Sequence, residues 1–207
     1  MSYTVLHLLT WLSPAFPTGG YAYSHSLEWA VEAGDVRDEA TALAWIGSLL
    51  THGSGRTDAI LLRHAHRGQN VSALAASVQP SAERLAETVQ QGGAFAIAGQ
   101  VWDGAAAEPV AYPIALAQLA RQHNVPEGDV ALGLLHAIAA SWVSAAVRLV
   151  PLGQNAGLRI MRALEPTILA IMEETRGAGL DEIGGACFRS DIASMRHETQ
   201  HTRLFRS

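Results

Sequence analysis

The stretch from Val130 to Val147 reads VALGLLHAIAASWVSAAV and decides the fold, because it carries no charged side chain between Asp129 and Arg148. Its length is near the lower limit for a helix that crosses a membrane. Glycine, histidine and serine residues interrupt its apolar surface, which makes a membrane span a poor interpretation. We therefore expect a buried central helix or a helix at an oligomer interface, and no membrane association.

The overall composition indicates a chain with a large apolar surface to cover. At 207 residues, one domain is expected. Hydrophobic residues make up 49% of the chain and charged residues 16%, so much of the surface must be buried or face a partner. The net charge of -5 comes without a broad cationic face, and nucleic acid is not expected as a partner.

The residue types exclude several kinds of chemistry. All 14 basic residues are arginine, and the chain has no lysine. A P-loop and a Schiff base both need a lysine, so we do not expect this chain to hydrolyse a nucleotide alone. Cys187 is the single cysteine and cannot form an internal disulfide, which predicts a reducing compartment. Residues 1–7 lack the features of a secretory signal, so we expect a cytoplasmic protein.

Hydrophobic periodicity predicts helices almost throughout and no convincing strand, so the fold class is all-α. Proline and glycine mark the boundaries, as where Pro14 ends the first helix and Gly34 the second. We predict a single-domain helical bundle of about eight to ten helices. The segment from Gly99 to Pro113 gives the weakest signal. The predicted helices are Leu6–Leu12, about Tyr23–Ala33, Glu39–Leu50, Thr57–Arg67, Ser72–Val78, Ser81–Ala98, Ile114–Gln122, a long helix from Pro126 to Val150, and Leu158–Arg176.

The end of the chain differs in composition from the body. After Gly177 it is rich in glycine, and it then becomes polar and rich in arginine. Such a segment buries little apolar surface by itself. We therefore divide the chain into an all-helical domain at residues 1–186 and a C-terminal partner-binding tail at residues 187–207 that orders when a partner binds.

The tail contains a pattern typical of zinc proteases. His197, Glu198 and His201 fit H-E-x-x-H, which on a helix places two imidazoles on one face beside a general base. A hydrolytic zinc needs a third ligand in a rigid cavity, and the six residues after His201 supply none. A zinc-dependent hydrolase is therefore the alternative function, and we predict no metal site.

The loop Ser13–Glu28 reads SPAFPTGGYAYSHSLE. Two prolines stiffen it, and two adjacent glycines allow backbone conformations and close approaches denied to other residues. Three aromatic rings lie in the same segment. The loop is either a connection with its aromatic rings in the core or a recognition surface, and the residues themselves leave both interpretations open.

Three separated blocks together resemble the urease accessory protein UreF family. The first, Ser13–Glu28, is close to the family pattern Ser-Pro-x-x-Pro-x-Gly-x-Phe-x-Tyr-Ser-x-Gly-Leu-Glu. The second is Ala145–Gln154, which reads AAVRLVPLGQ, and the third is Asp191–Ser207, with DIASMRHETQ followed by RLFRS. The blocks occur in the family's order and span nearly the whole chain.

The chain departs from the family pattern at three positions. His201 stands where the family usually has tyrosine, so the second histidine of the zinc-like pattern is a local variant. Tyr21 replaces phenylalanine and keeps the ring. Ser26 replaces glycine, which introduces strain if the position needs a positive φ and only fills space if it does not.

The resemblance implies an all-α, non-catalytic maturation factor for urease. Such a factor acts with a UreD/UreH-type scaffold protein and a UreG-type GTPase to deliver nickel to the urease apoenzyme. It also implies a homodimer, which would cover part of the apolar surplus. No cofactor is expected to bind tightly, and nickel is expected to be handled by the complex.

The resemblance also suggests roles for individual residues. The GTPase side is expected to use Pro17, Gly19, Gly20, Tyr23, Ser24 and Glu28. The scaffold side is expected to use Arg196, His197, Glu198, Arg203, Leu204 and Phe205. Charge-assisted hydrogen bonds and an apolar anchor would act there. Arg148 and Gln154 are expected to hold structure near a dimer or subunit interface, and no residue is expected to be catalytic.

Overall fold

The computed structural model describes residues 3–103 and 109–207. In those residues the chain forms ten α-helices, two short 3-10 helices and no strand, which confirms the all-α prediction. The α-helices are α1 (Tyr3–Trp11), α2 (Leu27–Glu32), α3 (Glu39–His52), α4 (Ser54–His66), α5 (Ser72–Ser77), α6 (Ala82–Asp103), α7 (Tyr112–Gln122), α8 (Glu127–Leu149), α9 (Gln154–Glu174) and α10 (Phe188–His197). The 3-10 helices are Gly20–Ala22 and Leu180–Glu182.

Helix α8 runs through the middle of the molecule and joins two hydrophobic cores. Its N-terminal half, with Leu134, packs in one core with residues of α1, α4, α6 and α7. Its C-terminal half, with Trp142, packs in the other with α2, α3 and α9. In the described part of the chain α8 is the one helix long and apolar enough to cross a membrane, and half of that window is buried inside the protein. The prediction of a buried central helix is therefore confirmed.

The start of α2 lies four residues later than predicted. Helical periodicity suggested a start at Tyr23, but the helix begins at Leu27. Tyr23 is extended, and His25 and Ser26 have φ of +56° and +68°. A left-handed backbone cannot be part of a right-handed helix. The helix α2 therefore begins only after His25 and Ser26, which form a sharp turn before it.

Helices α6 and α7 approach each other closely at Gly92. A Cβ atom built on Gly92 would collide with the carbonyl oxygen of Val110 and lie 2.8 Å from the carbonyl carbon of Ala111. Thr88 accepts a hydrogen bond from the backbone N–H of Tyr112 at 3.2 Å. The contact therefore depends on the absence of a side chain. The weakly predicted segment from residue 99 to 113 contains the end of α6 and the start of α7, and residues 104–108 lie outside the described residues.

In the structure, residues 187–207 lie against the body of the protein. Residues Phe188–His197 form α10, which packs against α2 and α6. Further on, Phe205 is 7% exposed and belongs to the same core as α3 and α9. That this segment is a partner-binding tail, which orders when a partner binds, stays a prediction.

Candidate functional site

Glu28, on α2, anchors the end of the chain. Its carboxylate accepts hydrogen bonds from the backbone N–H groups of Leu204 at 2.6 Å and Phe205 at 2.9 Å. One of its oxygens also lies 3.2 Å from Nε2 of His197. The Glu28 side chain is 7% exposed, so these bonds form away from bulk water, where losing one is costly. Glu28 therefore holds the tail against α2.

His197 connects this anchor to α6. Its Nδ1 lies 2.6 Å from Oε2 of Glu83, while Nε2 faces Glu28. Arg203 donates to the other oxygen of Glu83 at 2.5 Å. His197 is completely buried between the carboxylates of Glu28 and Glu83.

The geometry of the tail contradicts the zinc hydrolase alternative. Helix α10 ends at His197, so the exposed His201 does not lie one helical turn further on the same face. Glu198 accepts a hydrogen bond from the backbone N–H of Ala82 at 2.8 Å, which satisfies a free N–H at the start of α6. In residues 3–103 and 109–207 no three His, Cys, Asp or Glu side chains are placed to hold a metal ion.

A second anchor joins the tail to the loop before α2. Ser24 donates to the carbonyl oxygen of Ser207 from its backbone N–H at 2.8 Å and from its hydroxyl at 2.5 Å. The N–H of Arg206 donates to the carbonyl of Ala22 at 2.9 Å. The hydroxyl of Ser207 hydrogen-bonds Glu87 on α6. These bonds join the loop before α2, helix α6 and the tail into one unit. We call the residues that form it the anchor cluster: Ala22, Ser24, Glu28, Glu83, Glu87, His197 and residues 203–207.

The centre of the anchor cluster is a buried ion pair between Arg84 and Glu87. Burial opposes ionisation of Glu87, but the charges and hydrogen bonds of Arg84 and His25 together outweigh it and lower the pKa of that carboxyl below its usual range. His25 lies with Nδ1 3.3 Å from Glu87 and Nε2 2.6 Å from the hydroxyl of Ser54. Burial and the nearby Arg84 lower the pKa of His25 to about 4. At neutral pH the pair is therefore charged and His25 is neutral.

A cavity of about 290 Å³ opens beside the ion pair. Asp58, on α4, lines it together with Arg84 and Glu87. Among the described residues the Asp58 carboxyl has no hydrogen bond or ion pair, and burial raises its pKa to about 7. The charge of Arg84 favours the ionised form of Asp58, but Arg84 forms its ion pair with Glu87.

Replacing Asp58 with asparagine is expected to stabilise the protein at high pH. A carboxyl with a pKa of about 7 when folded and 3.8 ordinarily binds its proton more tightly in the folded state, so stability is lost as pH rises between these values. Asparagine stays neutral, and we expect a gain on the order of 2 kcal/mol at pH 8 that shrinks toward pH 4. Urea unfolding at both values measures it. The exposed Asp129→Asn is the matched control, and a gain independent of pH would contradict this account.

Ser26 adopts the conformation that glycine prefers. Its φ of +68° lies in the left-handed region that favours glycine, so serine carries strain there. The side chain is buried and its hydroxyl lies 3.1 Å from that of Ser190 on α10. The departure from the pattern thus adds a contact between the loop and the tail.

The structure divides the residues predicted for the GTPase side into two groups. Pro17 and Gly19 are exposed, and Gly20 is half-buried. The other three, Tyr23, Ser24 and Glu28, are buried. Tyr23 donates from its hydroxyl to Gln90 on α6 at 2.6 Å. These three residues hold the loop and tail in place, and a contact between them and the GTPase stays a prediction.

The residues predicted for the scaffold side divide in the same way. His197 and Phe205 are buried, and a contact between them and the scaffold stays a prediction. Arg196, Glu198, Arg203 and Leu204 are exposed, with Leu204 at 80%. The exposed members remain available for contacts.

Arg148 connects α8 to both segments. It donates to the carbonyl of Tyr21 at 2.8 Å, and its guanidinium lies 4.4 Å from the centre of the Phe205 ring. A structural role for Arg148 therefore has direct support. Gln154 is exposed at the first position of α9.

Two groups of exposed apolar side chains were not predicted from the sequence. Phe188, Ile192 and Met195 follow helical spacing along one face of α10 and are 70%, 45% and 52% exposed. Tyr21, on the 3-10 helix, is 78% exposed. The spacing of the three apolar residues could have revealed an amphipathic helix, but the surrounding arginine and glycine residues obscured it. We call Phe188, Ile192 and Met195 the α10 stripe.

Comparisons with known proteins agree with the resemblance to the UreF family. A model of the UreF family matches residues 36–165. A urease accessory protein UreF from Cereibacter sphaeroides (strain KD131 / KCTC 12085) is 51% identical over 210 residues, which cover 100% of both chains. Proteins of the same name from Bradyrhizobium sp. (strain ORS 278) and Rhodopseudomonas palustris (strain HaA2) are 48% and 46% identical. They match 97% and 99% of this chain and 90% and 94% of their own.

Proposed function

Because the chain belongs to the UreF family of urease accessory proteins, we propose that it is a non-catalytic chaperone subunit for urease maturation. It bridges a UreD/UreH-type scaffold and a UreG-type GTPase, and the assembly inserts nickel into the urease apoenzyme in a GTP-dependent reaction. The chain has no lysine for a P-loop, so the GTPase supplies the hydrolysis. Nickel is cargo of the assembly in this proposal.

The α10 stripe is the observation that carries the proposal. A monomer that leaves three large apolar side chains in water on one helix face offers a docking surface. Leu204 is also exposed, and Arg196 and Arg203 add charged groups. A centre of apolar side chains with charged neighbours is the usual composition of a protein interface. We assign this surface to the scaffold.

The GTPase is assigned to the exposed part of the loop before α2. Pro17, Gly19 and Tyr21 are exposed there, and the anchor cluster beneath holds the backbone in position. An exposed tyrosine on a rigid loop is a residue type that contributes strongly to binding. The two partner surfaces therefore lie on segments that are joined to each other by the anchor cluster.

We also infer a homodimer within the assembly. Six large apolar side chains on α1 and the second half of α6 are more than half exposed, and a second copy would cover such a surface. They are Tyr3, Val5, Leu6, Leu9, Ile97 and Val101.

Replacing Ile192 with glutamate is expected to weaken scaffold binding at least about tenfold, because a charge would be buried in the apolar centre of the interface. Leu158→Glu is the matched control, since Leu158 is equally apolar and 69% exposed on α9. Co-purification and a binding titration with the scaffold protein measure the effect. Unchanged affinity in Ile192→Glu, or an equal loss in Leu158→Glu, would rule out the α10 stripe as the scaffold surface.

A further inference from the structure

The cavity beside Asp58 has apolar walls and a polar inner end. Trp11, Leu12, Ile138 and Trp142 line the walls. The polar lining includes Asp58, Arg84, Glu87, Thr88, Gln91 and Tyr112. Its volume of about 290 Å³ lies at the lower limit of small-molecule pockets, which is too small for a nucleotide and sufficient for one long side chain.

The cavity lining carries two arginines and two acids. Arg84 and Glu87 form an ion pair. Arg148 is held by the carbonyl of Tyr21 and the ring of Phe205. Asp58 has no hydrogen bond or ion pair in the described part of the chain. A cation that reached Asp58 would therefore gain a counter-ion without displacing a partner.

We propose that this cavity receives the guanidinium or ammonium end of a basic side chain from a partner protein, with Asp58 as the counter-ion. The long apolar stem of arginine or lysine suits the apolar walls, because such side chains bury their methylene groups and keep the charged end in a polar site. That the cation belongs to a partner protein rests on the proposed function, which supplies the partner. That the site binds an organic cation rests only on the residues of the cavity.

The proposal predicts a particular pH dependence. The pKa of Asp58 is about 7, so the carboxyl is mostly neutral at pH 6 and mostly ionised at pH 8. The other titratable or charged residues that line this cavity are Tyr21, His25, Arg84, Glu87, Tyr112, His136 and Arg148, and Asp191 of α10 lines a smaller cavity shared with Asp58. The pKa values of His25 and Glu87 lie below this range, and burial raises that of Asp191. Binding of a cation therefore strengthens as pH rises and releases a proton from Asp58.

Butylguanidinium and its neutral analogue butylurea test the site on the isolated chain. NMR signals of the Trp11 and Trp142 indoles report occupancy of the cavity. We expect saturable shifts with butylguanidinium, with about tenfold tighter binding at pH 8 than at pH 6, as the ionised fraction of a group of pKa 7 requires. Butylurea should bind at least about tenfold more weakly at pH 8. Asp58→Asn should remove both differences, and Asp129→Asn should keep them.

Several outcomes would overturn the proposal. Equal binding of butylurea, or unchanged binding in Asp58→Asn, would show that Asp58 is not a counter-ion. A second titration uses the purified complex with the scaffold and the GTPase, where the partner's side chain should block the probe. Unchanged probe binding there would overturn the protein source and leave a free organic cation as the occupant. If no complex forms, the proposed function fails, while the titration of the isolated chain still decides the cation site.

Discussion

Replacing Glu28 with glutamine is expected to lower the free energy of unfolding by about 3–5 kcal/mol, the usual cost of breaking a buried charged contact. The Glu28 oxygens accept hydrogen bonds from the N–H groups of Leu204 and Phe205, and one of them lies 3.2 Å from Nε2 of His197. A glutamine amide must turn its NH₂ group toward at least one of these N–H groups. The substitution therefore removes a charge and places donor against donor in a dry site.

Urea unfolding measures the loss of stability, and amide hydrogen exchange of residues 198–207 shows whether the tail detaches. Glu32→Gln is the matched control, one helical turn away on the same helix. Its carboxylate accepts a bond from Gln200 but is exposed, so the change should stay within about 0.5 kcal/mol. Wild-type stability and tail protection in Glu28→Gln would show that the tail is held by other contacts.

Replacing Gly92 with alanine is expected to destabilise the protein by about 3 kcal/mol or more, at the upper end of the effect of overpacking. The added Cβ would meet the Val110 carbonyl and lie 2.8 Å from the backbone nitrogen of Tyr112. These are backbone atoms and cannot turn aside as a side chain can. Helices α6 and α7 would have to separate, which disturbs the core around Phe95.

The neighbouring Gly93 provides a close control. A Cβ on Gly93 would lie 3.6 Å from that of Pro109, an ordinary packing distance. Alanine is favoured over glycine inside a helix by about 1 kcal/mol, so Gly93→Ala should leave stability unchanged or raise it. Thermal and urea unfolding should show a loss of stability in Gly92→Ala and no loss in Gly93→Ala. Similar stabilities would mean that the approach of α7 to α6 is looser than described.

The helices could be predicted because their signals are local. Periodicity and the boundary residues Pro14, Gly34 and Pro126 lie within a few positions of the features they determine. The uncharged stretch from Val130 to Val147 likewise indicated the central helix, which α8 proved to be. The predicted start of α2 was too early because Ser26 has a positive φ. A glycine at this position would have suggested such a backbone, whereas a serine does not.

The anchor cluster could not be predicted because its contacts are not local. Glu28 and Leu204 are 176 residues apart, and no property of either residue identifies the other. Membership of a family pattern pointed to Glu28 and His197, but not to whether they face a partner or the interior. The same holds for Asp58, whose raised pKa follows from the surroundings that the fold creates around it.

The bonds between Ser24 and Ser207 also affect how the chain folds during synthesis. The two residues are separated by 183 positions, and translation adds about 5–20 residues per second, so the first waits about 10–40 s for the second. During that interval the loop and α2 lack the groups that later satisfy Ser24 and Glu28. The nascent chain can complete the helical body early, but these two segments mature only after residues 204–207 have left the ribosome.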